Sequence, residues 1–186
     1  MRARLVTAAV DSVLTIEAAK AFLRVDGSEE DTLIEDLIAA ATAHIERLTG
    51  RSICEQEWEL HADAFGDEFL LPNGPVQSIA AFTYQPGTGE AVAVDAELYE
   101  ADLISDPARV LRRAGAVWPN AANSASAVKI RYIAGYATVP APLRQAALLL
   151  VGHWYTNREA VVTGTITAEI PLGVEHLIHN YRSWTQ

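Results

Sequence analysis

Two segments near the start of the chain have the apolar spacing of amphipathic helices. Between residues 33 and 48, apolar side chains recur every three or four positions, so one face of a helix is predicted to enter the core. Ser28 is a suitable N-cap for that helix, and Gly50 suits its C-terminal end. A shorter apolar stripe covers residues 18–23, and Thr15 before it can accept a hydrogen bond from the first turn.

From residue 52 the period of the apolar positions changes to two, which is typical of strands. Trp58, Leu60 and Ala62 alternate with polar residues and predict a half-buried strand. Further short strands are predicted at residues 69–71, 76–84, 91–94, 98–103, 109–112 and 128–134. Proline- and glycine-rich turns separate several of these segments, as expected for a small antiparallel sheet or barrel.

Helical spacing returns after residue 136. Apolar residues between Leu143 and Trp154 cover most of the helix surface, so this helix is predicted to be buried on all sides. Pro142 suits its first turn, and Pro171 opens a short last helix that runs to Tyr181. The residues expected to be buried together in the helical core are Leu37, Ile38, Ile45, Leu149 and Leu150.

The order of these elements predicts an α+β fold. Residues 1–51 and 137–186 would form a helical body of about four helices, and residues 52–136 would form a small antiparallel β insertion. Half of the 186 residues are hydrophobic and a fifth are charged, so the chain can bury a substantial core. No apolar run is long enough to predict a membrane span. A single cysteine, Cys54, is typical of a protein that folds in a reducing cytosol.

The charge is distributed unevenly along the chain. The net charge of −10 argues against a protein that wraps nucleic acid. Residues 51–107 carry 12 acidic groups and one basic group, whereas residues 108–186 carry eight basic groups and three acidic ones. Two interpretations remain open: both segments are simply solvated surfaces, or the acidic face of one subunit meets the basic face of its neighbour.

Residues that could support catalysis are sparse. Glu175, His176 and His179 lie close together, but a zinc site usually has three or four protein ligands, so a solvent-facing group is the favoured interpretation. The acidic neighbours Glu55 and Glu57 should raise the pKa of the Cys54 thiol and make it a poor nucleophile. The sequence contains no nucleophile elbow, phosphate-binding loop or dinucleotide-binding turn. We therefore predict no catalytic, cofactor-binding or metal-binding residues.

Two groups of residues are candidates for protein contacts. The first is the basic cluster Arg109, Arg112 and Arg113, which predicts either intramolecular salt bridges or a subunit interface. The second is Tyr181, Arg182 and Trp184, whose residue types are enriched at binding hot spots. Trp184 has two interpretations, because it could dock on a partner or pack on its own helices.

Several sequence stretches resemble the head–tail connector (adaptor, or head completion) proteins of bacteriophages. Residues 14–26 (LTIEAAKAFLRVD) and 29–51 (EEDTLIEDLIAAATAHIERLTGR) are similar to the helices that open those proteins. Residues 139–160 (VPAPLRQAALLLVGHWYTNREA) and 170–174 (IPLGV) are similar to their C-terminal signature, and residues 132–136 (YIAGY) fit the strand before it. Gene transfer agents use similar adaptors, and the sequence does not separate the two origins.

The resemblance implies a structural protein of the particle neck that is made in the bacterial cytoplasm. Its subunits would form a ring, commonly a dodecamer, under the portal and would contact the next connector (stopper) or a tail protein. DNA would pass through the channel without sequence-specific binding, and no membrane is implied. Because such connectors commonly reach the portal through terminal segments, Tyr181, Arg182 and Trp184 are assigned to portal docking, and Arg109, Arg112 and Arg113 to the subunit interface.

Two alternative functions remain beside this one. A tail-completion protein or another virion assembly protein would share the ring but contact different partners. A small metal-assisted hydrolase would have to use Glu175, His176 and His179, and no second cluster of such residues supports it.

Overall fold

The computed structural model describes residues 1–157 and 172–183, and the chain divides into two compact units. The sheet unit comprises residues 1–10 and 55–136, and the helical unit comprises residues 11–54 and 137–184. The strands are β1 (Arg2–Thr7), β2 (Gln56–Ala62), β3 (Glu68–Leu71), β4 (Val76–Tyr84), β5 (Val92–Ala93), β6 (Tyr99–Asp102), β7 (Ala108–Arg112) and β8 (Val128–Ala134). The helices are α1 (Ile16–Leu23), α2 (Asp31–Thr49), α3 (Ala141–Thr156) and α4 (Leu172–Ile178), and 3-10 turns span Ala96–Leu98 and His179–Tyr181.

The sheet unit contains two antiparallel sheets that share one core. The larger sheet has the strand order β1-β2-β8-β4-β5, and the smaller has the order β3-β7-β6. Alternation along β8 directs Val128, Ile130 and Tyr132 into this core, where Phe69 of β3 and Val110 of β7 join them. The prediction of an α+β fold with a small antiparallel sheet is confirmed, and the β part is two sheets rather than one.

Strand β1 was not predicted from the pattern of residues 2–7, in which arginines interrupt a short apolar run. In the structure it pairs antiparallel with β2, with Arg2 opposite His61 and Arg4 opposite Glu59. Tertiary pairing thus determines a strand that local sequence does not indicate.

The helical unit begins with two capped helices. Thr15 is the N-cap of α1 as predicted, and its hydroxyl oxygen accepts a hydrogen bond from the amide of Ala18 at 3.2 Å. Gly50 ends α2 in the left-handed conformation, with φ 67°, as predicted. The prediction that Ser28 caps α2 was wrong, because Glu30 holds the N-cap position and provides no side-chain cap. Ser28 instead accepts a hydrogen bond from the Asp31 amide through its backbone carbonyl.

Helix α3 buries one face rather than its whole circumference. Leu143, Leu150 and Val151 are fully buried, whereas Leu149 and Trp154 are only half-buried. Of the expected helical core, Ile38, Ile45 and Leu150 are buried, and Leu37 and Leu149 are half-buried. None of the described helices is long and apolar enough to cross a membrane.

Candidate interaction surfaces

The predicted basic cluster lies on and just after β7, and its three arginines have partners within the sheet unit. Arg109 donates to Asp102 at 3.0 Å, and its guanidinium lies 3.5 Å from Glu68. Arg112 donates to Asp67. The exposed Arg113 donates to the backbone carbonyl of Tyr99 at 3.3 Å.

Asp102 organises the loop that follows β6. Its carboxylate accepts hydrogen bonds from the Ser105 hydroxyl at 2.6 Å, the Ser105 amide, Arg109 and the Ile104 amide. These bonds hold the pKa of Asp102 far below its usual range, and the two from Ser105 are the largest cause. They fix a loop whose tip, Ile104, is almost fully exposed.

The described part of the predicted docking segment lies against the C-terminal end of α2. The backbone carbonyl of Tyr181 accepts a hydrogen bond from Arg51, and the Ser183 amide donates to the carbonyl of Thr49 at 2.7 Å. Tyr181 and Arg182 are both half-buried. Trp184 lies outside the described residues, so its assignment to portal docking stays a prediction.

The outward face of the larger sheet carries a charged network that the sequence pattern did not reveal. Glu59 is buried and accepts a hydrogen bond from Arg131 at 2.9 Å, and one of its oxygens lies 3.0 Å from His61. Burial alone would raise the pKa of Glu59, but the Arg131 hydrogen bond and the charges of Arg131, His61 and Lys129 outweigh that effect and lower it. His61, one of the polar residues that alternate with the apolar ones along β2, is half-buried beside this carboxylate.

The residues considered for catalysis do not converge in the described part of the chain. Glu175, His176 and His179 are exposed, and no group of three or more potential metal ligands occurs within residues 1–157 and 172–183. Burial raises the pKa of the Cys54 thiol to about 11, with further contributions from the charges of Glu46 and Asp11. The direction is as expected, but its causes are not the sequence neighbours Glu55 and Glu57.

Both sheets have open edges that sequence reasoning missed. Within the described residues the edge strands are β1 and β5 in the larger sheet and β3 and β6 in the smaller one. Arg2 and Arg4 are exposed on β1. Glu100 is exposed on β6, and Glu97 is exposed in the turn before it. The alternation of arginine with Ala3 and Leu5 was the one signal that could have indicated an edge strand.

Comparisons with known proteins agree with this architecture. The chain is similar to a solved structure described as the neck of an empty gene transfer agent (GTA) particle computed with C6 symmetry, at 26% identity and a TM-score of 0.79, covering 98% of this chain and 96% of that one. The same figures apply to a chain of the virion of a native GTA particle. A chain of the neck of a native GTA particle computed with C12 symmetry matches at 25% identity with a TM-score of 0.72, at the same coverage.

Sequence comparison assigns the family. No curated protein matches the sequence at a significant level. The family model for head completion proteins matches residues 12–184, which includes both helical segments that carry the resemblance and strands β2 to β8 between them. The chain belongs to the head completion protein family.

Proposed function

We propose that this protein is a structural head–tail connector subunit of a phage or phage-like particle. Copies of it would form a ring under the portal, and the ring would join the capsid to the next connector or the tail. The observation that carries the proposal is the match, over nearly the whole length of both chains, to neck subunits of a gene transfer agent. Membership of the head completion family agrees with it.

The proposed ring is a dodecamer that encloses a channel for DNA. One similar neck structure was computed with C12 symmetry and another with C6 symmetry, and a ring of 12 copies is compatible with both. The net charge of −10 also suits a channel through which DNA must pass. A wall with excess negative charge repels phosphates and does not retain the DNA, whereas a basic wall would bind it.

The residues assigned to contacts keep those roles as part of the proposal. Tyr181, Arg182 and Trp184 would dock on the portal, and the hydrogen bond from Arg51 to the Tyr181 carbonyl holds the start of this segment on the helical unit. Arg109, Arg112 and Arg113 would lie at the subunit interface. Since Arg109 and Arg112 already pair with Asp102 and Asp67 of their own chain, Arg113 is the member most available to a neighbour.

The proposal is tested by assembly of the purified protein. Native mass spectrometry and negative-stain microscopy should detect rings of 12 copies with a central opening, either for the protein alone or after addition of the portal protein from the same particle. The portal should also co-purify with the protein. A protein that stays monomeric in the presence of its portal and does not bind it would contradict the proposed function.

A further inference from the structure

The described sheets have four edge strands, β1, β3, β5 and β6, and two of them, β1 and β6, have opposite charge. Strand β1 carries Arg2 and Arg4, both exposed, and residues 1–10 contain no acidic group. The segment that leads through β6 contains Asp95, Glu97, Glu100 and Asp102, and no basic residue. A chain that is strongly acidic overall thus has a basic edge at β1 and an acidic edge at β6.

The backbone at the β6 edge is available for hydrogen bonding. The Arg113 amide donates to the carbonyl of Leu98, so these two residues form a hydrogen-bonded pair across β6 and β7. Because such pairs alternate along an antiparallel ladder, the backbone groups of Tyr99 and Ala101 point away from β7. The Arg113 side chain covers the Tyr99 carbonyl, while Ala101 is exposed. An exposed edge of this kind is a template for an added strand.

The β1 and β6 edges lie beside different strands of the larger sheet. Tyr99 of β6 packs against Phe82 of β4, with ring centroids 5.1 Å apart, so β6 lies beside the β4 end of the larger sheet. Strand β1 is the other end of that sheet, separated from β4 by β2 and β8. Two complementary edges at separate places on one unit allow a head-to-tail contact, and repeating such a contact forms a ring when the rotation between copies closes.

We propose that β1 of one copy adds to β6 of the next copy, so that the sheets continue from subunit to subunit. The occupant of the β1 edge and of the β6 edge is then a second copy of this chain. Main-chain hydrogen bonds would provide affinity, and the pairing of Arg2 and Arg4 with Glu97 and Glu100 would exclude the β1–β1 and β6–β6 pairings that would end a ring. This inference rests on the proposed function, because it names the contact that forms the ring.

Two charge-reversal variants test the contact. One carries Arg2→Glu and Arg4→Glu, and the other carries Glu97→Arg and Glu100→Arg. We expect each variant alone to need about tenfold more protein for half-maximal assembly, because like charges then face each other at every interface. An equimolar mixture should assemble as the wild type does, because the two variants can alternate around the ring. The reversed, acidic β1 of the first variant then meets the reversed, basic β6 of the second, and the unchanged β1 of the second meets the unchanged β6 of the first.

Net charge cannot produce this pattern. The first variant makes the chain more acidic and the second makes it less acidic, so a general charge effect would shift assembly in opposite directions. Matched controls in the helical unit are Arg24→Glu with Arg144→Glu, and Glu29→Arg with Glu35→Arg; all four side chains are exposed. These controls should assemble normally, and circular dichroism should show that every variant is folded.

Amide hydrogen exchange tests the strand pairing itself. In the assembled ring, amides of β1 and the Ala101 amide should exchange at least about tenfold more slowly than in the unassembled first variant, because an added strand protects them. If the wild type forms rings and the reversal variants assemble equally well, the inference is overturned and the proposed function stays intact. The same holds if the mixture fails to restore assembly or if these amides stay unprotected. A wild type that never self-associates, with or without the portal, would overturn both.

Discussion

At the scale of single residues, the charged face of the larger sheet depends on Glu59. Its carboxylate is buried between Arg131 and His61, on a strand where the period-two pattern alone predicts exposed polar side chains. A buried carboxylate is tolerated only when its partners compensate the loss of water. The partners are on the neighbouring strand β8 and on β2 itself, so Glu59 ties the two central strands together.

Glu59→Gln should therefore destabilise the protein by about 1–3 kcal/mol at pH 7, allowing for the partial exposure of Arg131. The folded-state pKa of Glu59 is lowered, so its contribution is present above the unfolded pKa of about 4.3 and is lost as pH falls toward the folded value. Urea unfolding at pH 7 and pH 3 measures this, and the difference between wild type and variant should shrink at pH 3. The exposed Glu97→Gln is the control and should change little at pH 7. A pH-independent difference would contradict the ionic role.

At the scale of elements, helix α3 shows where sequence patterns stop being informative. Its apolar residues cover most of the helix surface, which predicted burial on all sides, yet Leu149 and Trp154 remain half-buried. Apolar periodicity identifies which residues can be buried, but the packing of the neighbouring helices decides how many are. The same limit explains strand β1, whose partner β2 lies about 50 residues away in the sequence.

Leu150 and Leu149 provide a matched pair on this helix. Leu150→Ala should cost about 2–5 kcal/mol, because the side chain is fully buried and its removal leaves a cavity. Leu149→Ala should cost clearly less, because its side chain is already partly in water. Chemical denaturation of both variants measures the difference. Equal costs would mean that Leu149 is buried in the state that unfolds, for example by a neighbouring subunit.

Helices α1 and α2, the position of α3 and most of the strands were predictable because each has a strong local pattern or cap. Thr15 and Gly50 are examples, since their roles depend only on adjacent residues. The contact surfaces were less predictable. The sequence identified the cluster Arg109–Arg113 but not its partners, because Asp67 and Asp102 reach the cluster only through the pairing of strands. Open strand edges are likewise a property of topology that no sequence window contains.

At the scale of the whole molecule, the arginines on and after β7 only partly neutralise the excess negative charge of residues 51–107. Arg112→Glu with Arg113→Glu should weaken ring formation, and the loss should be largest at low ionic strength, where screening is least. Sedimentation velocity at several salt concentrations measures it. Because Arg112 also pairs with Asp67 in its own chain, Arg113→Glu alone is the cleaner variant. Unchanged assembly at every ionic strength would mean that these charges only solvate the surface.

Two deletions in the C-terminal segment, one starting at residue 180 and one at residue 184, distinguish a role in folding from a role in docking. Tyr181 and Ser183 bond to Arg51 and Thr49, so deleting residues 180–186 should remove contacts that stabilise the helical unit. If these contribute about 1–3 kcal/mol, Tm should fall by about 2–4 °C for each kcal/mol.

Deleting only residues 184–186 leaves both hydrogen bonds in place, so Tm should not change. If Trp184 docks on the portal, this shorter deletion and Trp184→Ala should both abolish co-purification with the portal while the protein stays folded. A lower Tm for Trp184→Ala would instead mean that the indole packs on its own helices. Normal portal binding by the variant that lacks residues 184–186 would exclude Trp184 from the interface and leave Tyr181 and Arg182 as the residues to test next.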